Sequence, residues 1–223
     1  MRVAVAVFPG TNCEHDVAYA LELQGAAPEL VWHTSEDLSG FDGVVLPGGF
    51  AHGDYLRTGA IARFSPIMSE VSRLAQAGRP VLGICNGFQI LCEAGLLSGA
   101  LMANRDTSFM CRPIRVRVES TNSVLTAGAS QGQVIQIPLN SYEGRFVAPG
   151  DDDQVVLRYC GPDGELDERF NPNGSTDSIA GTSNAPGNVV GLMPHPERAV
   201  EELLGSADGA LLIGSFVTSL QPA

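Results

Sequence analysis

The first apolar block of the chain, residues 3–8 (VAVAVF), runs without interruption and stops at Pro9-Gly10. Such a run, with no alternation, predicts a strand covered on both faces. The period then changes. Over residues 16–24, Val17, Ala20, Leu21 and Leu23 fall at helical spacing, and Gly25 closes the segment. Short strands are predicted at residues 30–33 and 43–46, the second running into Pro47-Gly48-Gly49. Residues 61–77 are amphipathic, with Ile67, Val71, Leu74 and Ala75 on one stripe, and predict one long helix stopped by Gly78-Arg79-Pro80. A strand over 81–84 and a helix over 86–94, ended by Gly95, follow. This alternation predicts an α/β fold, a three-layer flavodoxin-like sandwich with a mostly parallel central sheet and helices on both faces.

The second half has a different texture. Residues 114–118 (IRVRV) alternate apolar residues with arginine, as a half-exposed strand does. Residues 134–137, 155–159, 178–180 and 189–193 read as short strands between Gly, Pro and Asn turns, and 207–220 as a last helix. The connection over 161–176 is long for a compact domain, which predicts a functional or partner-facing segment. Asp151-Asp152-Asp153 reads as a solvated turn. No shift in composition marks a linker, so residues 1–223 are expected to form a single domain.

Composition narrows the chemistry. With 44% hydrophobic and 17% charged residues, the chain can build a sizeable core and is too well mixed for disorder. All 13 basic residues are arginine. Without a lysine there is no Schiff base, no pyridoxal-phosphate anchor, no Ser-Lys dyad and no P-loop lysine for ATP. The net charge of −12 repels polyanions, so nucleic acid and anionic membrane surfaces are poor partners. Five cysteines with no CxxC pair point to a reducing compartment without a disulfide frame or zinc ribbon, and no metal site is expected. The N-terminal apolar run is too short for a signal peptide or a bilayer span, so a soluble, cytoplasmic protein is expected.

The sharpest chemical signal lies at residues 81–89, VLGICNGFQ. An apolar strand, Gly-x-Cys-x-Gly and then a helix form the layout of a nucleophile elbow, in which glycines on both sides permit a sharp turn and expose the central side chain. A helix N-terminus favours thiolate at Cys85, and the Asn86 N–H would face an oxyanion on the substrate. The plain alternative is a buried structural cysteine in a tight turn. A nucleophile needs a base, and the chain offers four histidines. His33, beside Trp32 at a strand end, reads as structural; His15, near a helix start, and His52, in a glycine-rich loop, read as surface residues or local donors. His195 lies in Met193-Pro194-His195-Pro196-Glu197 after an apolar strand. Two prolines would hold this backbone extended, placing residues i and i+2 on one face, so that Glu197 could fix the imidazole tautomer. A proline-rich turn with an incidental histidine is the alternative. Val44-Val45-Leu46-Pro47-Gly48-Gly49 is a third strand end, whose free N–H groups could complete an oxyanion hole opposite Asn86. Taken alone it is only a turn. Together the three strand ends supply nucleophile, base with orienter, and oxyanion donors.

At these residues the chain resembles the class I, triad-type glutamine amidotransferases, whose Gly-x-Cys-x-Gly-x-Gln motif matches residues 83–89 and whose His-Pro-Glu motif matches residues 195–197. More narrowly, it resembles the glutaminase subunits that serve de novo purine synthesis. That likeness rests on FPGTNC at 8–13, PGGF at 47–50 with GDYLR at 53–57, NPNGS at 171–175 and GLMPHPER at 191–198, segments spread over nearly the whole chain. The resemblance implies that Cys85 attacks the carboxamide of L-glutamine, that Gly49 and Asn86 hold the oxyanion, that His195 and Glu197 manage the protons, and that Gln89 binds the substrate amino acid. It implies no cofactor in this chain. ATP and magnesium belong on a large ATP-dependent synthetase subunit, joined by a small third subunit, which uses the ammonia to convert formylglycinamide ribonucleotide to formylglycinamidine ribonucleotide. One stretch departs from the family pattern: Asn140-Ser141-Tyr142 stands before Glu143 where relatives carry a histidine-containing segment. Two other classes compete, a different Cys-His hydrolase such as a peptidase or γ-glutamyl hydrolase, and a non-catalytic flavodoxin-like binding subunit with an inert Cys85.

Overall fold

The computed structural model describes residues 1–148, 150 and 154–221, so the expected turn at Asp151-Asp152-Asp153 lies outside the described residues. In chain order the elements are β1 (Arg2–Val7), α1 (Glu14–Leu23), β2 (Ala27–Trp32), β3 (Gly43–Leu46), α2 (Ile67–Gln76), β4 (Val81–Ile84), α3 (Asn86–Glu93), β5 (Ala100–Met102), β6 (Met110–Val118), β7 (Val134–Ser141), β8 (Arg145–Val147), β9 (Gln154–Cys160), β10 (Ile179–Ser183), β11 (Val189–Leu192) and α4 (Gly209–Ser219), with short 3-10 turns between several of them.

One sheet carries the order β2-β1-β3-β4-β11-β10-β9-β6-β7, and β5 pairs with β8 in a small separate ribbon. The strands from β2 to β11 are mutually parallel. Their all-apolar stretches are buried because both faces are covered: every residue of β3, β4 and β11 is buried. Beyond β11 the sheet continues through antiparallel neighbours β10, β9, β6 and β7. From β1 the chain crosses to β2 on one side and afterwards to β3 and β4 on the other. Right-handed crossovers in opposite directions put α1 and α2 on opposite faces. α4 packs against α1, and α3 packs against β3 and β4, giving three layers. The reversal of direction beside β1 opens a crevice at the carboxyl ends of the strands, where α/β sheets bind ligands.

Several expectations change in detail, among them β6, expected over 114–118, which begins at Met110. The long helix over 61–77 is two pieces: a 3-10 turn, Ala62–Phe64, then α2. Pro66 is the cause, because it disfavours helical backbone at Ser65, which is extended at ψ 142°. The strand expected over 134–137 runs on to Ser141 through Pro138. Pro138 faces Pro113 of β6 at a position beyond the reach of β9, which pairs only with Arg115–Val118. At such a non-hydrogen-bonded pair neither proline needs an N–H. The Pro138 carbonyl instead turns outward and accepts the His195 N–H at 2.8 Å. Finally, the ribbon of β5 and β8 has three-residue strands and was not expected. No described helix is long and apolar enough to cross a membrane.

Candidate active site

Cys85 stands between β4 and α3 with φ 51° and ψ −106°, a conformation that costs a non-glycine residue about 1–3 kcal/mol. Its N–H donates to Leu192 C=O (2.8 Å) and its own carbonyl accepts from Gln89 N–H (3.1 Å), so strand and helix hold the strained residue at both ends. The flanking glycines do not supply the turn, as the motif suggested; Cys85 itself takes the left-handed φ. They supply closeness. A Cβ at Gly87 would lie 1.9 Å from the Leu46 carbonyl oxygen, and one at Gly83 would lie 2.7 Å from the Gly87 carbonyl carbon. The thiol lies 3.5 Å from the Asn140 carbonyl oxygen.

His195 Nδ1 is 2.6 Å from Glu197 Oε1, and both residues are 2% exposed. The contact expected from the spacing is present, but the backbone reason is different. Pro196–Arg198 forms a 3-10 turn with Pro196 in its first position, and the turn rather than an extended segment brings Glu197 back under the ring. Burial alone would lower the pKa of His195. The charges of Glu197 and Cys85, together with hydrogen bonds to Cys13 and Cys85, outweigh it and hold the imidazole well above its ordinary value. His195 Nε2 and Glu197 Oε2 are buried without a hydrogen-bond partner. Gly48 is the spacer between Cys85 and His195: a Cβ there would meet His195 Cε1 at 2.8 Å, Cys13 Sγ at 3.0 Å and Cys85 Cβ at 3.5 Å.

The two proposed oxyanion donors lie at neighbouring strand ends. Asn86 is the first residue of α3, so its N–H has no carbonyl within the helix to receive it. Gly49 bridges Thr11, and that bridge is closed by Phe50 N–H to Gly10 C=O (2.9 Å) and Asn12 N–H to Gly48 C=O (3.3 Å), which leaves the Gly49 N–H outside the ladder. Gly49 has φ 152°, and a Cβ on it would lie 2.7 Å from the Gly10 carbonyl oxygen.

Cys85, His195, Gly49 and Gln89 line one cavity of about 340 Å³. Gln89 is tied on both sides, accepting from Asn86 Nδ2 (2.8 Å) and donating to Glu143 C=O (2.6 Å). The divergent residues Asn140, Ser141 and Tyr142 line the same cavity. Asn171, Asn173 and Ser175 of the long 161–176 connection are buried, and Asn173 Nδ2 donates to Gly144 C=O (2.7 Å), bracing the segment beside Glu143 from within. His33 and His52 stack edge to face at 5.3 Å, away from this set, and His33 Nδ1 meets Ser65 Oγ at 3.1 Å.

Sequence reasoning assigned no role to Cys13, Asp54, Glu143 or Arg198, all of which line the cavity. Asp54 accepts from Asn86 Nδ2 (3.3 Å); burial, then the charge of Glu143, lift its pKa to about 6 against the opposing Asn86 hydrogen bond. Arg198 joins Asp16 Oδ2 (3.0 Å) and Cys13 Sγ (3.2 Å). Donor atoms of Cys13, His195 and Glu197 lie within 4.8 Å of one another, close enough for a thiophilic cation. The Arg198 guanidinium already places positive charge at the Cys13 sulfur, which disfavours one.

A strained thiol beside a buried imidazole–carboxylate pair, at the ends of parallel strands, is the arrangement that a glutamine amidotransferase with a Cys-His-Glu triad would need. Residues 1–208 match the family described as CobB/CobQ-like glutamine amidotransferase domain. The chain is 50% identical to phosphoribosylformylglycinamidine synthase subunit PurQ of Chlorobium luteolum, covering 99% of both. It is 49% identical to the same subunit of Methanopyrus kandleri, covering 97% of both. The solved structure of PurLQS from Thermotoga maritima contains a chain with TM-score 0.90 and 43% identity, matched over 99% of each. A glutamine amidotransferase of the same organism, at 16% identity and TM-score 0.65 over 100% of this chain and 99% of that one, shares the fold. The chain belongs to the glutamine amidotransferase family and, within it, to the PurQ subunits of phosphoribosylformylglycinamidine synthase.

Proposed function

We propose that this chain is the glutaminase subunit of phosphoribosylformylglycinamidine synthase, hydrolysing L-glutamine through a Cys85 thioester and passing the ammonia to an ATP-dependent synthetase subunit. The observation that carries the chemistry is the opening of Cys85, His195 and Gly49 onto one cavity. In the first half-reaction the Cys85 thiolate forms a bond to the carboxamide carbon, and the carbonyl oxygen takes negative charge against the N–H groups of Gly49 and Asn86. The carbon–nitrogen bond then breaks as the His195 imidazolium gives its proton to the leaving amide nitrogen, which departs as neutral ammonia. In the second half-reaction water adds to the thioester, His195 removes its proton, and glutamate leaves with the thiolate restored. Glu197 holds the imidazole tautomer and stabilises the imidazolium throughout.

Ammonia keeps its nucleophilicity only while unprotonated, so a synthetase has to receive it before it reaches bulk water. The absence of lysine fits a chain that leaves ATP and magnesium to the large subunit, with a small third subunit completing the assembly. Purine synthesis on this plan is cytoplasmic, and the continuous sheet supports residues 1–223 acting as one catalytic domain.

The test uses the complex purified with its synthetase subunits. Cys85→Ala is expected to abolish glutamate release, and His195→Ala to lose most activity in a folded protein. A glutamine-shaped alkylating agent should label Cys85 and be blocked by glutamine, whereas iodoacetamide also reaches exposed Cys111. Cys160, whose pKa burial raises to about 11, should stay inert. Full glutaminase activity in Cys85→Ala would refute the assignment, and turnover of γ-glutamyl peptides without partners would favour a free-standing hydrolase.

A further inference from the structure

We infer that the carboxylates of Asp54 and Glu143 seat the α-ammonium group of the substrate glutamine and select for an α-amino acid over other amides. The inference rests on the glutaminase reading above and says which residues read the end of the substrate remote from Cys85. Glutamine arrives as a zwitterion, so an α-amino acid site needs negative charge for one end group. Among the described residues, Asp54 and Glu143 are the carboxylates lining the cavity.

Both residues flank Gln89, Asp54 through its carboxylate on the shared Asn86 amide and Glu143 through the main-chain carbonyl that Gln89 Nε2 reaches, and the Glu143 charge is felt at Asp54. Among the described residues neither forms an ion pair, whereas other acids on this chain are matched to arginine, as Glu93 is to Arg57 and Glu70 to Arg73. Two carboxylates repelling each other in a partly buried cavity are relieved by a cation between them. The cavity itself is unsatisfied in a way that asks for a polar occupant. His195 Nε2 and Ser141 Oγ, on residues that line it, are buried and have no hydrogen-bond partner.

The seat is rigid. His52, Asp54 and Leu56 all take left-handed φ, at 54°, 54° and 70°. The loop holds this shape because His52 N–H donates to Pro9 C=O (2.6 Å), Ala51 N–H to Asn86 Oδ1 (3.0 Å), and Arg57 clasps Glu93 through two bonds of 2.5 and 2.7 Å.

The discriminating experiment compares L-glutamine with 4-carbamoylbutanoate, which keeps the carboxamide and the carboxylate and lacks the α-ammonium. Both are assayed with the assembled synthase, and binding of each to a Cys85→Ala complex is measured by calorimetry. Asp54→Asn is expected to reduce kcat/KM for glutamine about 10- to 100-fold, mainly through KM, and to leave the deamino amide unchanged or better, so that the preference collapses. Glu143→Gln should act in the same direction. Because the readout is a ratio within one variant, a partial loss of folded protein does not disturb it. Equal losses for both amides, or a preference retained in both variants, would overturn the proposal. If the unsubstituted complex released ammonia from neither amide, the glutaminase reading would fall with it, so the two failures are distinct.

Discussion

Gly48→Ala is the smallest change that separates the nucleophile from its base without touching either. Its backbone lies outside the left-handed region, so alanine is tolerated conformationally and the effect is purely one of space. The added methyl would meet His195 Cε1 at 2.8 Å and Cys13 Sγ at 3.0 Å. Ordinary carbon–carbon contact needs about 3.5–4.0 Å, so the ring has to retreat by about 0.7–1.2 Å. It has little freedom to do so. Nδ1 is held by Glu197 at 2.6 Å and the residue's N–H by Pro138 at 2.8 Å. Overpacking of this kind costs about 1–3 kcal/mol of stability, and a 1 Å misplacement of a catalytic group costs about 100-fold in rate. A chain of 223 residues should then melt about 2–12 °C lower while the rate of glutamyl thioester formation, read in a single turnover, falls about 100-fold. Glutamine binding should change little, because Gln89, Asp54 and Glu143 are untouched. A Gly48→Ala complex with unchanged acylation rate would show that the ring and the thiol do not meet across this glycine, and the triad geometry would have to be abandoned.

Two further outcomes follow from buried pairs. Glu197→Gln removes the charge that holds the His195 pKa well above its ordinary value. That pair stabilises the fold fully below the unfolded histidine value of about 6.5 and loses its effect as pH rises through the elevated folded value. The stability gap between the parent and Glu197→Gln should therefore be widest near pH 6 and narrow toward pH 9 in urea titrations; a gap that grows with pH would contradict the cause assigned. Asn173→Ala strips hydrogen bonds from Gly144 C=O (2.7 Å), Tyr159 OH (3.2 Å) and Ser175 Oγ (2.7 Å) at a fully buried site. A loss of about 2–4 kcal/mol is expected in denaturant unfolding, and a change under 0.5 kcal/mol would show that the loop does not brace the cavity wall.

The parallel half of the fold was legible because its signals are local. Residues 3–8, 43–46 and 81–84 are apolar throughout, which only a strand buried on both faces explains at that length, and Gly25, Gly78 and Gly95 punctuate the helices. The failures came where tertiary context decided. Pro66 lies on the polar side of an otherwise helical stripe, and the periodicity overrode its effect on Ser65. Pro138 looked like a strand end, yet β7 passes through it because the register places it opposite Pro113. Cys85 was recognisable from its flanking glycines, although their use proved to be close approach to Leu46 and not conformational freedom. Asp54 stood inside the GDYLR segment at 53–57 without a role, since its place in the cavity depends on left-handed backbone that residues other than glycine rarely adopt.

Much of the site is built from main-chain atoms, and that decides which sequence changes matter. The Asn140 carbonyl meets the Cys85 thiol, the Pro138 carbonyl holds the His195 N–H, the Glu143 carbonyl receives Gln89, and the proposed oxyanion donors are the main-chain N–H groups of Gly49 and Asn86. Such contacts depend on where a strand ends and, apart from Gly49, where a Cβ would lie 2.7 Å from the Gly10 carbonyl oxygen, place little demand on side-chain identity. The departure at Asn140-Ser141-Tyr142 is intelligible on that footing. β7 delivers a carbonyl to the thiol whatever residue stands at 140, while the side chain of Asn140 turns aside, its amide oriented so that the oxygen accepts from Arg198 Nη1 (3.2 Å) and the nitrogen donates to Leu139 C=O (3.2 Å). On the proposed mechanism, side-chain identity is strict where charge is used, at Cys85, His195 and Glu197. By the same reasoning it is strict at Asp54, where the backbone offers carbonyl dipoles but no anion for the substrate's ammonium.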